Sequence, residues 1–347
     1  MNRNVKYRVL GVMSGTSLDG IDLAICTFTK NKQWEFKIDK SETLKYSNYW
    51  IKTLANLHKK NKNTVTQTDI EYGEFIGRII NTFLENEQVD FISSHGHTIF
   101  HQPENKHTLQ IGDGKTIAKV TGTTTINDFR SLDVSLNGQG APLVPIGDLH
   151  LFPNYKYCIN LGGFANISIK EKNTIIAFDI CPVNIVLNKI CLILNIEYDN
   201  NGEIARSGRL IPQLLQQLNQ LNFYKILPPK SLSREWVEKH INPIIKNLKP
   251  QDSLRTFCEH IAIQIGSFIK HKSALFTGGG VFNSFLMERI QYHSSSKIII
   301  PSNTIINFKE ALLFGFIGVL KVRNEVNCLQ SVTGAERDNC GGVIHQS

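Results

Sequence analysis

Two apolar, β-prone runs open the chain, Tyr7 to Val12 and Ile21 to Phe28, around a tip holding Ser14, Gly15, Thr16, Ser17, Asp19 and Gly20. Strand, turn residues and strand predict a hairpin. Trp34 to Leu44 predicts a third strand, and helical spacing follows in Tyr46 to Lys59 and in Thr68 to Asn86, the latter through Ile76, Ile79, Ile80 and Phe83. Val89 to Ser93 predicts a short strand that delivers Ser94-His95-Gly96-His97-Thr98 to a loop. Leu109 to Gly114 reads as strand and turn and Thr116 to Val120 as a helical link. Thr123 to Ile126 reads as a strand ending in Asn127-Asp128-Phe129-Arg130.

The second half repeats the opening theme. Asn137-Gly138-Gln139-Gly140-Ala141-Pro142 is a glycine-rich approach to a domain boundary, and from Tyr157 a strand, Gly162-Gly163 and a second strand form another hairpin. Two such hairpins in different halves predict two related domains facing a common cleft. Thr174 to Phe178 predicts a strand ending at Asp179, with a helix from Asn184. Ile204 to Leu221 predicts one helix, and Leu227-Pro228-Pro229-Lys230-Ser231 a rigid loop. Asp252 to Lys270 predicts a long helix; Ala274 to Thr277 a strand entering Gly278-Gly279-Gly280; and Val281 to Ile290 a helix. Lys297 to Pro301 predicts a strand and Phe308 to Val322 an apolar helix bearing Lys309-Glu310 at its start, while the tail from Asn324 has no clear period.

A chain of 347 residues exceeds what one core usually serves. The expected division is an N-terminal domain over 1–130, with the tail 340–347 a candidate to rejoin it, and a C-terminal domain over 131–339. The net charge of +8 comes from lysines scattered through segments such as His58-Lys59-Lys60-Asn61-Lys62 rather than from a basic block. That pattern favours a solvated surface over a nucleic-acid partner. No apolar run reaches membrane-spanning length, the N-terminus lacks a signal-peptide core, and seven cysteines occur without a C-x-x-C pair. A soluble, cytoplasmic protein with reduced thiols is expected.

Candidate chemistry gathers at the punctuated positions. At the first hairpin tip, Gly15 and Gly20 permit close backbone approach, Thr16 and Ser17 offer hydroxyls, and Asp19 and Asp22 offer oxygens to Mg²⁺, so a phosphate would fit there. The tip matches neither the G-x-x-x-x-G-K-[ST] loop nor G-x-G-x-x-G, and an ordinary polar turn competes with this reading. His95, His97 and His101 invite a metal, but no acidic or cysteine partner stands at a diagnostic spacing, and His95 is the one expected in a pocket. Arg130 suits a carboxylate or phosphate, or pairs on the surface with Asp128 or Asp133. Asp179, at a strand end, is placed for general-base work or for helix capping. Gly278, Gly279 and Gly280 let a base or phosphate lie on the main chain before a helix start, with Asn283 in reach. Glu310 is a substrate contact or a first-turn carboxylate.

Taken in order, Gly11-Val12-Met13-Ser14-Gly15-Thr16-Ser17-Leu18-Asp19-Gly20-Ile21-Asp22, Asn127-Asp128-Phe129-Arg130, Gly138 to Pro145, Asn160-Leu161-Gly162-Gly163, Gly278-Gly279-Gly280 with Asn283, Lys309-Glu310-Ala311 and Ser331 to Ala335 resemble anhydro-N-acetylmuramic acid kinases over nearly the full length. The resemblance implies an α/β protein with two related domains of the actin-like ATPase (ribonuclease H-like) type around a central cleft. It implies ATP with Mg²⁺ near Asp22, and conversion of 1,6-anhydro-N-acetylmuramic acid and water to N-acetylmuramic acid 6-phosphate during cell-wall sugar recycling. The family's nucleotide segment maps onto Gly15, Thr16, Ser17, Leu18, Asp19, Gly20, Ile21 and Asp22, with Gly162 and Gly163 and the triple glycine alongside. Its catalytic Asp maps onto Asp179, and its sugar contacts map onto His95, Arg130 and Glu310. A homodimer is implied in the same way.

The chain departs from the family pattern at Ile180-Cys181, where threonine and glycine usually follow the aspartate. That leaves two alternatives open: a nucleotide-dependent binding or regulatory protein with weakened catalysis, and a kinase for another sugar.

Overall fold

The computed structural model describes residues 5–15, 18–172 and 174–347. Its first strands are β1 (Val5–Ser14), β2 (Gly20–Lys30) and β3 (Trp34–Lys45), followed by helices α1 (Asn48–Asn56) and α2 (Lys62–Leu84). Then come β4 (Phe91–Gln102), β5 (His107–Ile111), α3 (Gly114–Thr121), β6 (Thr125–Asn127), α4 (Ser131–Ser135) and α5 (Val144–Leu151). A second meander holds β7 (Tyr157–Leu161), β8 (Phe164–Lys170) and β9 (Ile175–Pro182). Helices α6 (Asn184–Leu192), α7 (Glu203–Ser207), α8 (Pro212–Asn219), α9 (Arg234–His240), α10 (Asn242–Ile245) and α11 (Pro250–Phe268) follow. The chain ends with β10 (Ser273–Thr277), α12 (Ser284–His293), β11 (Lys297–Ile299), α13 (Asn303–Val322), α14 (Gln330–Thr333) and β12 (Val343–His345).

The first sheet runs β12-β6-β4-β1-β2-β3 with β5 paired to β4, and the second runs β11-β10-β7-β8-β9. In each, a three-strand antiparallel meander carries two further parallel strands on the free side of its first strand: β4 and β6 beside β1, β10 and β11 beside β7. Parallel neighbours need a long crossover, and helices between the strands supply it. The shared order and strand sense give both sheets the ribonuclease H-like plan of actin-like ATPases, as the motifs implied.

Two compact units result. One runs to Phe152 and resumes over Phe308–Ser347; the other is Pro153–Asn307. This division differs from an expected break after residue 130, because Arg130 Nη1 donates across that point to the Gly140 carbonyl at 2.6 Å and α4 is tied to the C-terminal segment through buried polar contacts. Asp133, fully buried on α4, accepts hydrogen bonds from the Gly140 N–H at 2.8 Å, from Thr333 Oγ1 at 2.9 Å and from Asn339 Nδ2 at 2.7 Å. The C-terminal tail also adds more than 340–347. Helix α13 lies directly on β1, where a Cβ on Gly11 would sit 1.9 Å from the Ala311 carbonyl oxygen. Only glycine allows that approach.

In the first unit Leu10, Val12, Ile21, Leu23 and Ile25 pack against Tyr72, Ile76 and Ile80 of α2. In the second, Ile159 and Leu161 of β7 join Phe257, Ile261 and Ile265 of α11 in one core. The single helix expected over Ile204 to Leu221 is two, α7 and α8, separated at Gly208 and restarted by Pro212 at a first helical position. After β10, Gly279–Phe282 forms a 3-10 turn, so α12 begins at Ser284 rather than Val281.

Candidate active site

The segment expected as a loop after Ser93 is strand: β4 continues to Gln102. Pairing with β1 passes from Val12↔Ser94 to Ser14↔His97, so one extra residue is accommodated on β4. Gly96 takes it up at φ +73°, and a Cβ there would lie 2.4 Å from the Ile111 carbonyl oxygen. Such a bulge re-aims the side chains beside it. His97 turns to the first hairpin, its Nδ1 2.8 Å from Ser14 Oγ, which also meets the hydroxyls of Tyr46 at 2.6 Å and Tyr72 at 3.1 Å. His95 instead packs on Phe314 of α13 with ring centroids 4.5 Å apart, and His101 is exposed. The three imidazoles do not converge, and among the described residues no group of three His, Cys, Asp or Glu side chains could hold a metal ion.

His95 and Arg130 form one unit. Nδ1 of His95 lies 2.9 Å from the Gly96 carbonyl. A carbonyl only accepts, so Nδ1 carries the proton and Nε2 offers a lone pair. Arg130 donates to that lone pair from Nε at 3.1 Å and Nη2 at 2.8 Å, and from Nη1 to the Gly140 carbonyl at 2.6 Å. Burial, then the Arg130 charge, holds His95 well below its usual range and therefore neutral. Burial also lowers Arg130, to about 10, which leaves it a cation at neutral pH. Neither carboxylate expected beside Arg130 pairs with it directly: Asp128 accepts from Ser131 N at 3.3 Å and Oγ at 2.6 Å, and Asp133 sits in the core behind Gly140.

Around this pair lie further charges. Burial and then Asp22 raise the Glu310 carboxyl above its ordinary value, and Lys309 and Arg130 oppose them. Its side chain keeps solvent access although protein surrounds it. Lys309 itself is buried against Asp148, Nζ to Oδ1 2.7 Å. At the hairpin, burial raises Asp22, which accepts from Thr43 Oγ1 at 2.6 Å and also feels Asp19. Leu18 adopts φ +60° and its N–H reaches the Gly15 carbonyl at 3.4 Å. Gly20 serves packing, since a Cβ would lie 2.6 Å from the Leu44 carbonyl oxygen, and Ile21 is core. Thr16 and Ser17 lie outside the described residues.

In the second unit Gly162 and Gly163 form the β7–β8 turn, and their carbonyls accept from the N–H groups of Val183, Asn184 and Ile185 at the start of α6. Gly278 needs its glycine: φ is +84° and a Cβ would lie 2.6 Å from Asn160 Oδ1. Gly279 is different, with nothing within 4 Å of the same atom. Asn283 caps α12, its Oδ1 accepting from the Leu286 N–H at 2.9 Å. Asp179 is a half-buried residue within β9, raised above its ordinary value by burial and eased by the Leu232 N–H, which donates to Oδ2 at 2.8 Å. The neighbours where the chain departs from the family pattern, Ile180 and Cys181, are fully buried in the core.

Sequence reasoning missed Asp133, the Ser14–Tyr46–Tyr72–His97 network and the Leu232 donor. A buried carboxylate three residues past Arg130 was visible only as a charge, and backbone donors carry no sequence signal at all.

The anhydro-N-acetylmuramic acid kinase family profile matches residues 7–347. This chain belongs to that family. A relative from Sulfurovum sp. (strain NBC37-1) is 34% identical across 98% of this chain and 99% of its own length. Another from Saccharophagus degradans is 34% identical across 97% and 98%, and one from Coxiella burnetii (strain Dugway 5J108-111) is 33% identical across 98% of each. All three are named anhydro-N-acetylmuramic acid kinase. The alignment spans both units, and membership makes the chain a phosphotransferase with an alcohol group as acceptor. Among the described residues no helix is long and apolar enough to cross a membrane.

Proposed function

We propose that this chain uses ATP and water to convert 1,6-anhydro-N-acetylmuramic acid to N-acetylmuramic acid 6-phosphate and ADP. Family membership over 7–347 carries the reading. Asp179 takes a proton from water as its oxygen bonds to the anomeric carbon. The bond from that carbon to the bridging oxygen breaks, and the released oxygen at C6 forms a bond to the γ-phosphorus while ADP leaves. Burial that raises Asp179 makes it a stronger base than an exposed carboxylate. Arg130, held by His95 and Gly140, keeps one N–H on each terminal nitrogen for substrate oxygens, and Glu310 accepts from sugar hydroxyls.

Gly15 to Asp22 and the Gly278 to Gly280 turn are the nucleotide contacts in this reading, the second supported by the open space at Gly279. Mg²⁺ fits the donors at the first hairpin: Asp22 is raised by burial and by Asp19, so a hard cation would relieve adjacent negative charge there. Bound with ATP, it would offset charge on the phosphates. Ile180 and Cys181 are spent on packing, which favours a working enzyme over a weakened binding protein. A cytoplasmic homodimer completes the proposal.

Incubation with MgATP and the anhydro sugar, followed by mass spectrometry, tests it. A product heavier than the sugar by one phosphoryl group (HPO3) plus one water is expected; normal ATP binding with no such product would overturn the substrate assignment.

A further inference from the structure

The loop Leu227-Pro228-Pro229-Lys230-Ser231-Leu232 has no part in the roles above. Strand β9 is an edge of its sheet, and an edge strand leaves backbone groups without ladder partners. At Asp179 the loop supplies them. The Asp179 N–H donates to the Lys230 carbonyl at 3.0 Å, and two residues on the Leu232 N–H donates to Asp179 Oδ2 at 2.8 Å. Backbone and side chain of one aspartate are thus bracketed by residues 230 and 232.

The bracket is itself anchored. Lys230 Nζ donates to the Phe223 carbonyl at 3.2 Å and lies over the Phe223 ring at 4.5 Å and the Phe268 ring at 5.6 Å. Phe223 is buried, and Phe268 packs edge-on against Phe178, the residue before Asp179. The lysine therefore ties the loop to the same aromatic layer that supports the strand. Among the described residues no hydrogen bond reaches Asp179 Oδ1.

We propose that Leu227 to Leu232 is a strap that positions the Asp179 carboxylate, with Lys230 as its anchor: Leu232 holds Oδ2 and thereby presents Oδ1 to the water. This rests on Asp179 being the base. Covering a sheet edge alone would need the backbone bond to Lys230 but no donor on the carboxylate, and the Leu232 N–H distinguishes the two. Cys181, two residues further along β9, is a titratable group in electrostatic contact with this carboxylate, and the same thiol also feels Lys230 on the strap.

The test uses the full chain. In the wild type, the Leu232 amide resonance is expected to titrate with the ¹³C signal of the Asp179 carboxyl; independent titrations would overturn the contact. Lys230→Met keeps the stem and removes the ammonium. Loss of a hydrogen bond that favours the carboxylate raises its proton affinity, so Asp179 should titrate higher and the acid limb of kcat/KM should move up with it. Turnover should fall about tenfold, the scale of one charge-assisted hydrogen bond, with the KM for ATP unchanged, and Lys230→Arg should restore much of it. Wild-type titration and turnover in Lys230→Met would overturn the proposal, as would lost turnover with an unmoved titration. Asp179→Asn separates the two readings: if it turns over normally, Asp179 is not the base, while the amide titration still decides whether the strap holds it.

Discussion

Arg130 gives two of its N–H groups to a single atom of His95, Nε at 3.1 Å and Nη2 at 2.8 Å from Nε2. A neutral imidazole with its proton on the far nitrogen is what permits this, and the Gly96 carbonyl fixes that tautomer. The guanidinium is consequently oriented before any ligand arrives. Arg130→Lys keeps the charge but cannot span His95 and the Gly140 carbonyl together. Its KM for the sugar is expected to rise about 10- to 100-fold, on the scale of one or two hydrogen bonds to a charged group, with the KM for ATP nearly constant. Steady-state kinetics with each substrate varied checks this.

Asp133 organises Gly140 from behind. Asp133→Ala leaves the Gly140 N–H, Thr333 and Asn339 without their acceptor in the core. A cost of at least about 3 kcal/mol is expected from stranding several buried donors. Urea unfolding should show an earlier transition, and the sugar KM should rise as Gly140 loosens its hold on Arg130.

Acid stability should depend on His97. Burial lowers it to about 4, below the usual value near 6.5, so the unfolded chain takes up a proton that the folded chain refuses. Its contribution is fully present above pH 6.5 and is lost as pH falls from there to about 4. His97→Gln can still accept from Ser14 and does not titrate. It should reduce the stability lost across that window by up to roughly 3 kcal/mol, read from urea melts at several pH values. His260, pushed down to about 3 by burial in the second unit, will keep its own acid loss in both proteins.

Adjacent glycines should behave oppositely. Gly278→Ala meets a left-handed φ and a contact of 2.6 Å, so it should lower the thermal midpoint. Gly279→Ala enters open space and should leave the midpoint in place. If nucleotide lies along this turn, the KM for ATP rises in Gly279→Ala; an unchanged KM would remove Gly279 from the nucleotide contacts.

Much of the architecture was legible in the chain. Both glycine-tipped hairpins, the long α11 and the helix bearing Glu310 follow from local period and turn residues, which act over a few positions. Where tertiary pairing outweighed propensity, reading failed. Ser94-His95-Gly96-His97 has loop composition, yet β1 and β5 pair with it and make it strand. Gly208 and Pro212 broke a helix whose leucine spacing alone looked continuous.

By itself, then, the sequence determined the two hairpins, the ordered motifs and hence the family, because these are written in residue identity at short range. The tertiary structure alone decided that His95 faces α13 while His97 faces Ser14, through one bulged residue at Gly96. It alone placed Asp133 under Gly140 and the Leu232 N–H on Asp179. Hydrogen bonds between segments tens of residues apart depend on where the chain returns, and no local pattern encodes that.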